Sequence, residues 1–108
     1  MAGVRDIEVE TLRDWRDAKT PHVLLDVREP VELETAAVDG VSWIPMGEIV
    51  SRMDEIPRDV PVVVMCHHGS RSTRVAEYLE GAGLANVYNL AGGIDAYAER
   101  VDESVPRY

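Results

Sequence analysis

The run Val62-Val63-Val64-Met65, followed at once by Cys66-His67-His68-Gly69-Ser70-Arg71-Ser72, constrains this chain more than any other stretch. Four consecutive apolar residues rich in β-branching read as a strand buried on both faces. After Gly69 the pattern becomes helical, with Val75, Leu79 and Ala82 at i, i+4 and i+7. A buried strand that runs directly into a helix belongs to a largely parallel α/β sheet. Cys66, the only cysteine, is therefore expected at the carboxyl end of a strand, in a short loop leading to a helix N-terminus. Ligand sites of open α/β sheets lie at that edge. Successive backbone N–H groups and the helix dipole favour negative charge there. A thiol in such a field loses its proton more readily, and the thiolate is the nucleophile.

The rest of the chain supplies the other strands and helices. Met1 to Asp6 is expected to be a loose end. Ile7-Glu8-Val9 reads as a first strand, and Glu10 to Ala18 as a short helix with Leu12 and Trp15 inward, broken at Thr20-Pro21. Val23 to Val27 is a second, central strand. Glu29-Pro30 starts a helix running to about Ala36, with Pro in the first turn. Val41 to Ile44 is a third strand, ended by Pro45, and Gly47 to Met53 a short helix with Ile49 and Met53 on one face. Pro61 to Met65 is the fourth strand, Ser70 to Gly81 a helix capped by Gly81-Ala82-Gly83, Val87 to Asn89 the fifth strand and Ile94 to Arg100 the last helix. The tail, Val101 to Tyr108, lacks a clear period and is expected on the surface. Strands alternate with helices, which predicts a single α/β domain over residues 1–108.

A chain of 108 residues buries roughly two-thirds of its unfolded surface, enough for one core. Phe is absent, so aliphatic side chains and two Trp must fill it. Eleven Lys and Arg against twenty Asp and Glu give a formal net charge of −9. That balance argues against a nucleic-acid or anionic-membrane partner. One cysteine excludes an internal disulfide and a resolving thiol. The absence of a signal-peptide pattern and of a long apolar run favours the cytoplasm, where a reduced thiol persists.

Cys66 and Arg71 frame Cys-x-x-x-x-Arg, one residue shorter than the loop of phosphate-handling cysteine enzymes. A shorter loop makes a tighter cradle, suited to a sulfur atom. This loop, Cys-His-His-Gly-Ser-Arg, resembles the active-site loop of single-domain rhodaneses. Leu24-Leu25-Asp26-Val27-Arg28-Glu29-Pro30 and Asn89-Leu90-Ala91-Gly92-Gly93-Ile94 resemble that family's other signatures, and the resemblance covers nearly the whole chain. It implies a three-layer fold, a five-stranded central sheet with helices on both faces. It also implies sulfur transfer from a donor such as thiosulfate or a protein persulfide, through a Cys66 persulfide, to cyanide or a thiol, without metal or organic cofactor. The turn Ala91-Gly92-Gly93 is then expected beside the Cys66 loop.

Within this reading Cys66 is the nucleophile and His67, His68, Gly69, Ser70 and Arg71 surround the substrate. Arg71 can meet a sulfonate-like donor or stabilise the thiolate; otherwise it is a helix-surface arginine. Gly69 serves the backbone, and Ser70 and Ser72 can cap the helix or donate toward sulfur. His67 is the better placed imidazole. Cys66, His67 and His68 are consecutive and converge poorly on one ion, so no metal site is expected. Asp26 and Arg28 either touch the active site or, the favoured reading, form a structural ion pair or hydrogen bond closing the strand-to-helix turn. The chain departs from the family where Ala37 and Asp39 stand in place of its usual His and Pro. The competing functions are a slow persulfide carrier that passes sulfur to a partner protein, suggested by a tail that resembles rhodanese domains fused to adenylyltransferases; a redox or phosphate enzyme; and a structural interaction module.

Overall fold

The computed structural model describes residues 4–108. Five strands form one parallel sheet in the order β1-β5-β4-β2-β3. They are β1 (Arg5–Ile7), β2 (Val23–Asp26), β3 (Ser42–Trp43), β4 (Val62–Met65) and β5 (Val87–Leu90). Three α-helices lie between strands, α1 (Val9–Asp17), α2 (Pro30–Thr35) and α3 (Ser70–Gly81), and a fourth, α4 (Gly93–Arg100), follows β5. The strand carrying the cysteine is the central one, paired with β2 on one side and β5 on the other.

The period-2 alternation of β4 divides the interior into two cores. Val63 and Met65 join Leu12 of α1 and Ile94, Tyr97 and Ala98 of α4 on one face. Val62, Val64 and Cys66 join Val75, Ala76 and Leu79 of α3 on the other. Helices therefore cover both faces, which is why β4 must be apolar at every position. The sulfur lies on the α3 side, directly beneath the start of that helix.

Several boundaries differ from the sequence reading. The loose end expected over Met1 to Asp6 falls partly outside the described residues, and Arg5 and Asp6 belong to β1. Val9 is the first residue of α1, not the end of a strand, because it packs fully buried beside Leu12. The third strand is only Ser42–Trp43. The helix expected over Gly47 to Met53 is replaced by two 3₁₀ turns, Met46–Glu48 and Met53–Glu55; Ile49 is still buried between them. The tail is not wholly a surface segment, since Val105 is buried in the α1–α4 core. Ala37 and Asp39 are both exposed. Their turn is ordered instead by buried Ala36 and Val38 and by Arg16, whose Nη2 donates to the Asp39 carbonyl at 2.7 Å. Among the described residues no helix is long and apolar enough to cross a membrane.

Asp26 and Arg28 form the expected structural pair, and both are fully buried. Arg28 Nη2 donates to Asp26 Oδ2 at 2.7 Å, Nε donates to both carboxylate oxygens, and the Arg28 backbone N–H adds a fourth bond. The Arg28 carbonyl accepts from Trp43 Nε1 at 2.8 Å, tying β3 to the same turn. Removing one partner of such a pair strands a buried charge, at a cost of about 3–5 kcal/mol. Asp26→Asn is expected to lower unfolding free energy by that order in urea titrations; a loss below about 1 kcal/mol, the scale of an exposed pair, would show that water reaches Arg28.

Candidate active site

Gly69 precedes α3 with φ +117°, a left-handed conformation that suits glycine. That turn folds the loop back over the end of β4. The first N–H groups of a helix lack intrahelical acceptors, and at α3 the acceptor is sulfur. Gly69 N–H donates to Cys66 Sγ at 3.1 Å and Ser72 N–H at 3.4 Å. Cys66 itself is 1% exposed. Burial pushes the thiol up, but the Ser72 hydroxyl and the backbone N–H groups of Ser72, Gly69 and Arg71 together outweigh it, so the net shift is downward. The expectation of a loop that favours the thiolate is met by named donors.

Ser72 is not a helix cap. It is fully buried, with Oγ 3.3 Å from Cys66 Sγ and in hydrogen-bond contact with the Gly69 carbonyl and Asn89 Oδ1. Asn89 Nδ2 donates to Asp6 Oδ1, which turns Oδ1 toward Ser72. A hydroxyl has one proton. With a thiol, S–H can donate to Ser72 Oγ while Ser72 donates to Asn89; with a thiolate, the hydroxyl proton can turn to sulfur. Asn89 and Asp6 were not singled out from sequence as site residues, although Asn89 opens the Asn-Leu-Ala-Gly-Gly signature.

That signature lies against the loop as expected. Ile94 N–H donates to the Cys66 carbonyl at 2.9 Å and Asp95 N–H to the His67 carbonyl at 3.1 Å. Gly93 has φ +61°, and a Cβ there would collide with both of those carbonyl oxygens. The N-terminus of α4 thus pins the backbone of the Cys66 loop.

Arg71 is half-buried rather than free on a helix surface. Its guanidinium makes a two-pronged pair with Glu32, Nη1 to Oε2 at 2.6 Å and Nη2 to Oε1 at 2.7 Å. Glu32 also accepts the Glu29 N–H at 2.9 Å and the Tyr108 hydroxyl at 2.9 Å. The Arg71 bonds, aided by those from Glu29 and Tyr108, hold the Glu32 carboxyl at about 2. Tyr108 accepts from Arg28 Nη1 at 3.0 Å and stacks on His67, with centroids 3.8 Å apart and planes 3° from parallel. Glu32 and Tyr108 carried no legible sequence signal: one is the third residue of a helix, the other the end of an aperiodic tail. Ser70 is exposed and makes no side-chain contact to the sulfur.

His67 lies between the Tyr108 ring and the exposed His68 ring, also stacked at 3.8 Å. Its Nε2 is buried without a hydrogen-bond partner among the described residues. Ligand atoms of His67, His68 and Asp95 come within 4.8 Å of one another. Both Asp95 oxygens, however, already accept from Arg107, at 2.9 and 3.1 Å. Face-to-face imidazoles beside a guanidinium make a poor cation cage, and Cys66 Sγ points away, toward α3.

The match to known proteins agrees with this geometry. The model of the Rhodanese-like domain matches residues 8–100. The chain belongs to the rhodanese-like domain family. A protein of Allochromatium vinosum named "Sulfurtransferase" is 42% identical over 96 residues, covering 88% of this chain and 89% of that protein. The "Rhodanese-like/PpiC domain-containing protein 12, chloroplastic" of Arabidopsis thaliana is 36% identical over 112 residues, covering 97% of this chain; the match spans only 38% of the plant protein. Among solved structures, the rhodanese-related protein of Thermoplasma volcanium superposes with TM-score 0.81 at 33% identity, over 90% of this chain and 93% of that one. The rhodanese-like fold expected from the signatures is therefore present, with the sheet parallel throughout.

Two outcomes test the site. Ser72→Ala removes the hydroxyl donor that favours the thiolate and keeps the backbone N–H, so less thiolate is expected at neutral pH. The pH profile of Cys66 alkylation by iodoacetamide is expected to shift upward; an unchanged or lowered midpoint would assign the downward shift to the backbone alone. Gly93→Ala forces a left-handed alanine, costing roughly 1 kcal/mol or more, and drives its methyl into the loop carbonyls. Thermal unfolding is expected at lower temperature and alkylation to slow, whereas a native alkylation rate would show that the loop does not depend on α4.

Proposed function

We propose that the protein is a sulfurtransferase that carries sulfane sulfur on Cys66. The observation that supports this most is a buried sulfur that is itself the acceptor for the N–H groups of Gly69 and Ser72. A thiolate so held is nucleophilic and already desolvated. It attacks the outer sulfur of a donor. With thiosulfate, the bond between the two donor sulfurs breaks, the electron pair leaves on sulfite, and Cys66 holds a persulfide anion. With a thiol persulfide, the departing group is the thiolate. The outer sulfur then lies in the cradle of loop N–H groups from residues 67–71, where developing negative charge is stabilised. An acceptor attacks that sulfur: cyanide leaves as thiocyanate, a thiol leaves as a persulfide, and the Cys66 thiolate returns. No electrons are gained or lost overall.

His67 and His68 line the loop and are the side chains proposed to meet the donor, Arg71 stands beside them in its pair with Glu32, and Gly69 and Ser70 contribute backbone. The partners are a small anionic donor or a protein persulfide, and a thiol acceptor. Two half-reactions sharing one cysteine give ping-pong kinetics. Initial rates at varied thiosulfate and cyanide are expected to give parallel double-reciprocal lines, and Cys66→Ser is expected to abolish turnover with a native circular dichroism spectrum. Intersecting lines, or transfer surviving in the serine variant, would contradict a covalent sulfur carrier.

A further inference from the structure

Three arginines near the Cys66 loop are already matched with carboxylates. Arg28 is paired with Asp26, Arg107 with Asp95 and Glu99, and Arg71 with Glu32. The Glu32 carboxylate is saturated: two bonds from Arg71, one from the Glu29 N–H and one from the Tyr108 hydroxyl. Arg28, through Tyr108, and the stacked His67 ring hold that hydroxyl in place. An oxyanion arriving at the loop would have to displace a carboxylate that is locked from three sides. Arg71 lies close enough to Cys66 for the thiolate to add to its own preference for the charged form, after the larger effect of Glu32.

We propose that Glu32, locked by Tyr108, is a specificity-determining residue that occupies the Arg71 guanidinium and thereby selects against donors ending in an oxyanion, in favour of sulfane sulfur carried on a thiol. The role deepens the sulfur-transfer reading and rests on it for the nature of the donor. It does not depend on it for the underlying physics, because any reagent reaching Cys66 meets the same clamp. Glu32 remains ionised through the neutral range, since Arg71 holds its carboxyl at about 2. The clamp is therefore closed at every pH at which a thiolate can be assayed. An uncharged reagent has no use for Arg71 and is indifferent to it; a sulfonate or carboxylate needs it and finds it paired.

Iodoacetate and iodoacetamide are nearly the same size and differ by one negative charge, so the ratio of their alkylation rates at Cys66 reads charge selection directly. Glu32→Gln is expected to raise the iodoacetate-to-iodoacetamide ratio by about tenfold, the scale of one freed charge-assisted contact. Tyr108→Phe, which keeps the stack on His67 and loses only the hydroxyl, is expected to give a smaller rise. Glu34→Gln, an exposed residue of the same helix with the same change in net charge, is expected to leave the ratio unaltered. In an Arg71→Ala background, Glu32→Gln is expected to have no effect. The kcat/KM for thiosulfate should follow the ratio. A ratio unchanged or lowered in Glu32→Gln, or raised equally in Glu34→Gln or without Arg71, would overturn the proposal. Should Glu32→Gln fail to fold by circular dichroism, an unaltered ratio in Tyr108→Phe overturns it. If the ratio rises as expected while neither the native protein nor any variant transfers sulfur from thiosulfate or from a thiol persulfide, charge selection at Cys66 stands and the sulfur-transfer reading falls.

Discussion

Everything in this site depends on Cys66 Sγ taking the place of a helix cap. The N-terminus of α3 offers N–H groups without intrahelical acceptors, and the loop turns at Gly69 so that those of Gly69 and Ser72 meet sulfur. This works only because β4 is central and apolar on both faces. Burial alone would push the thiol up; the donors outweigh it, and the net shift is downward. Under the proposed mechanism, the loop N–H groups would also stabilise the charged persulfide.

A second layer holds that arrangement from outside. The N-terminus of α4 binds the Cys66 and His67 carbonyls. Asp6 and Asn89 orient Ser72. Glu32, Tyr108 and Arg28 link α2, the tail and the buried turn after β2 to Arg71 and His67. The contributions come from distant parts of the chain, and each is polar. Such networks raise the cost of losing any one member, because the remaining groups are left without partners in a poorly hydrated place.

How much of this was legible from sequence follows from the range of the interactions. The unbroken apolar run of β4, the helical period after Gly69 and the lone cysteine between them are local signals, and they located the strand, α3 and the cysteine loop that joins them. The Gly92-Gly93 turn was legible as a close approach. The Asp26–Arg28 pair was read as structural, and it is. The helix expected over Gly47 to Met53 failed because Ile49 and Met53 satisfy one turn of burial without continuous helical hydrogen bonding. Glu32 and Tyr108 were invisible because their meaning comes from contacts 39 and 76 residues away. Arg71 was read as an available cation for the same reason: its partner could not be seen. Tyr108 belongs to a tail with no period, and its role comes from its stack on His67 and its hydrogen bonds to Glu32 and Arg28.

The central claim is that sulfur rests covalently on Cys66. The most direct test is the mass of the intact protein after incubation with thiosulfate and no acceptor, followed by peptide mapping. The account predicts one added sulfur atom, located on the peptide containing Cys66, released in full by cyanide and matched by one equivalent of sulfite. An unmodified protein under conditions that support turnover, or sulfur found on any other peptide, would contradict it.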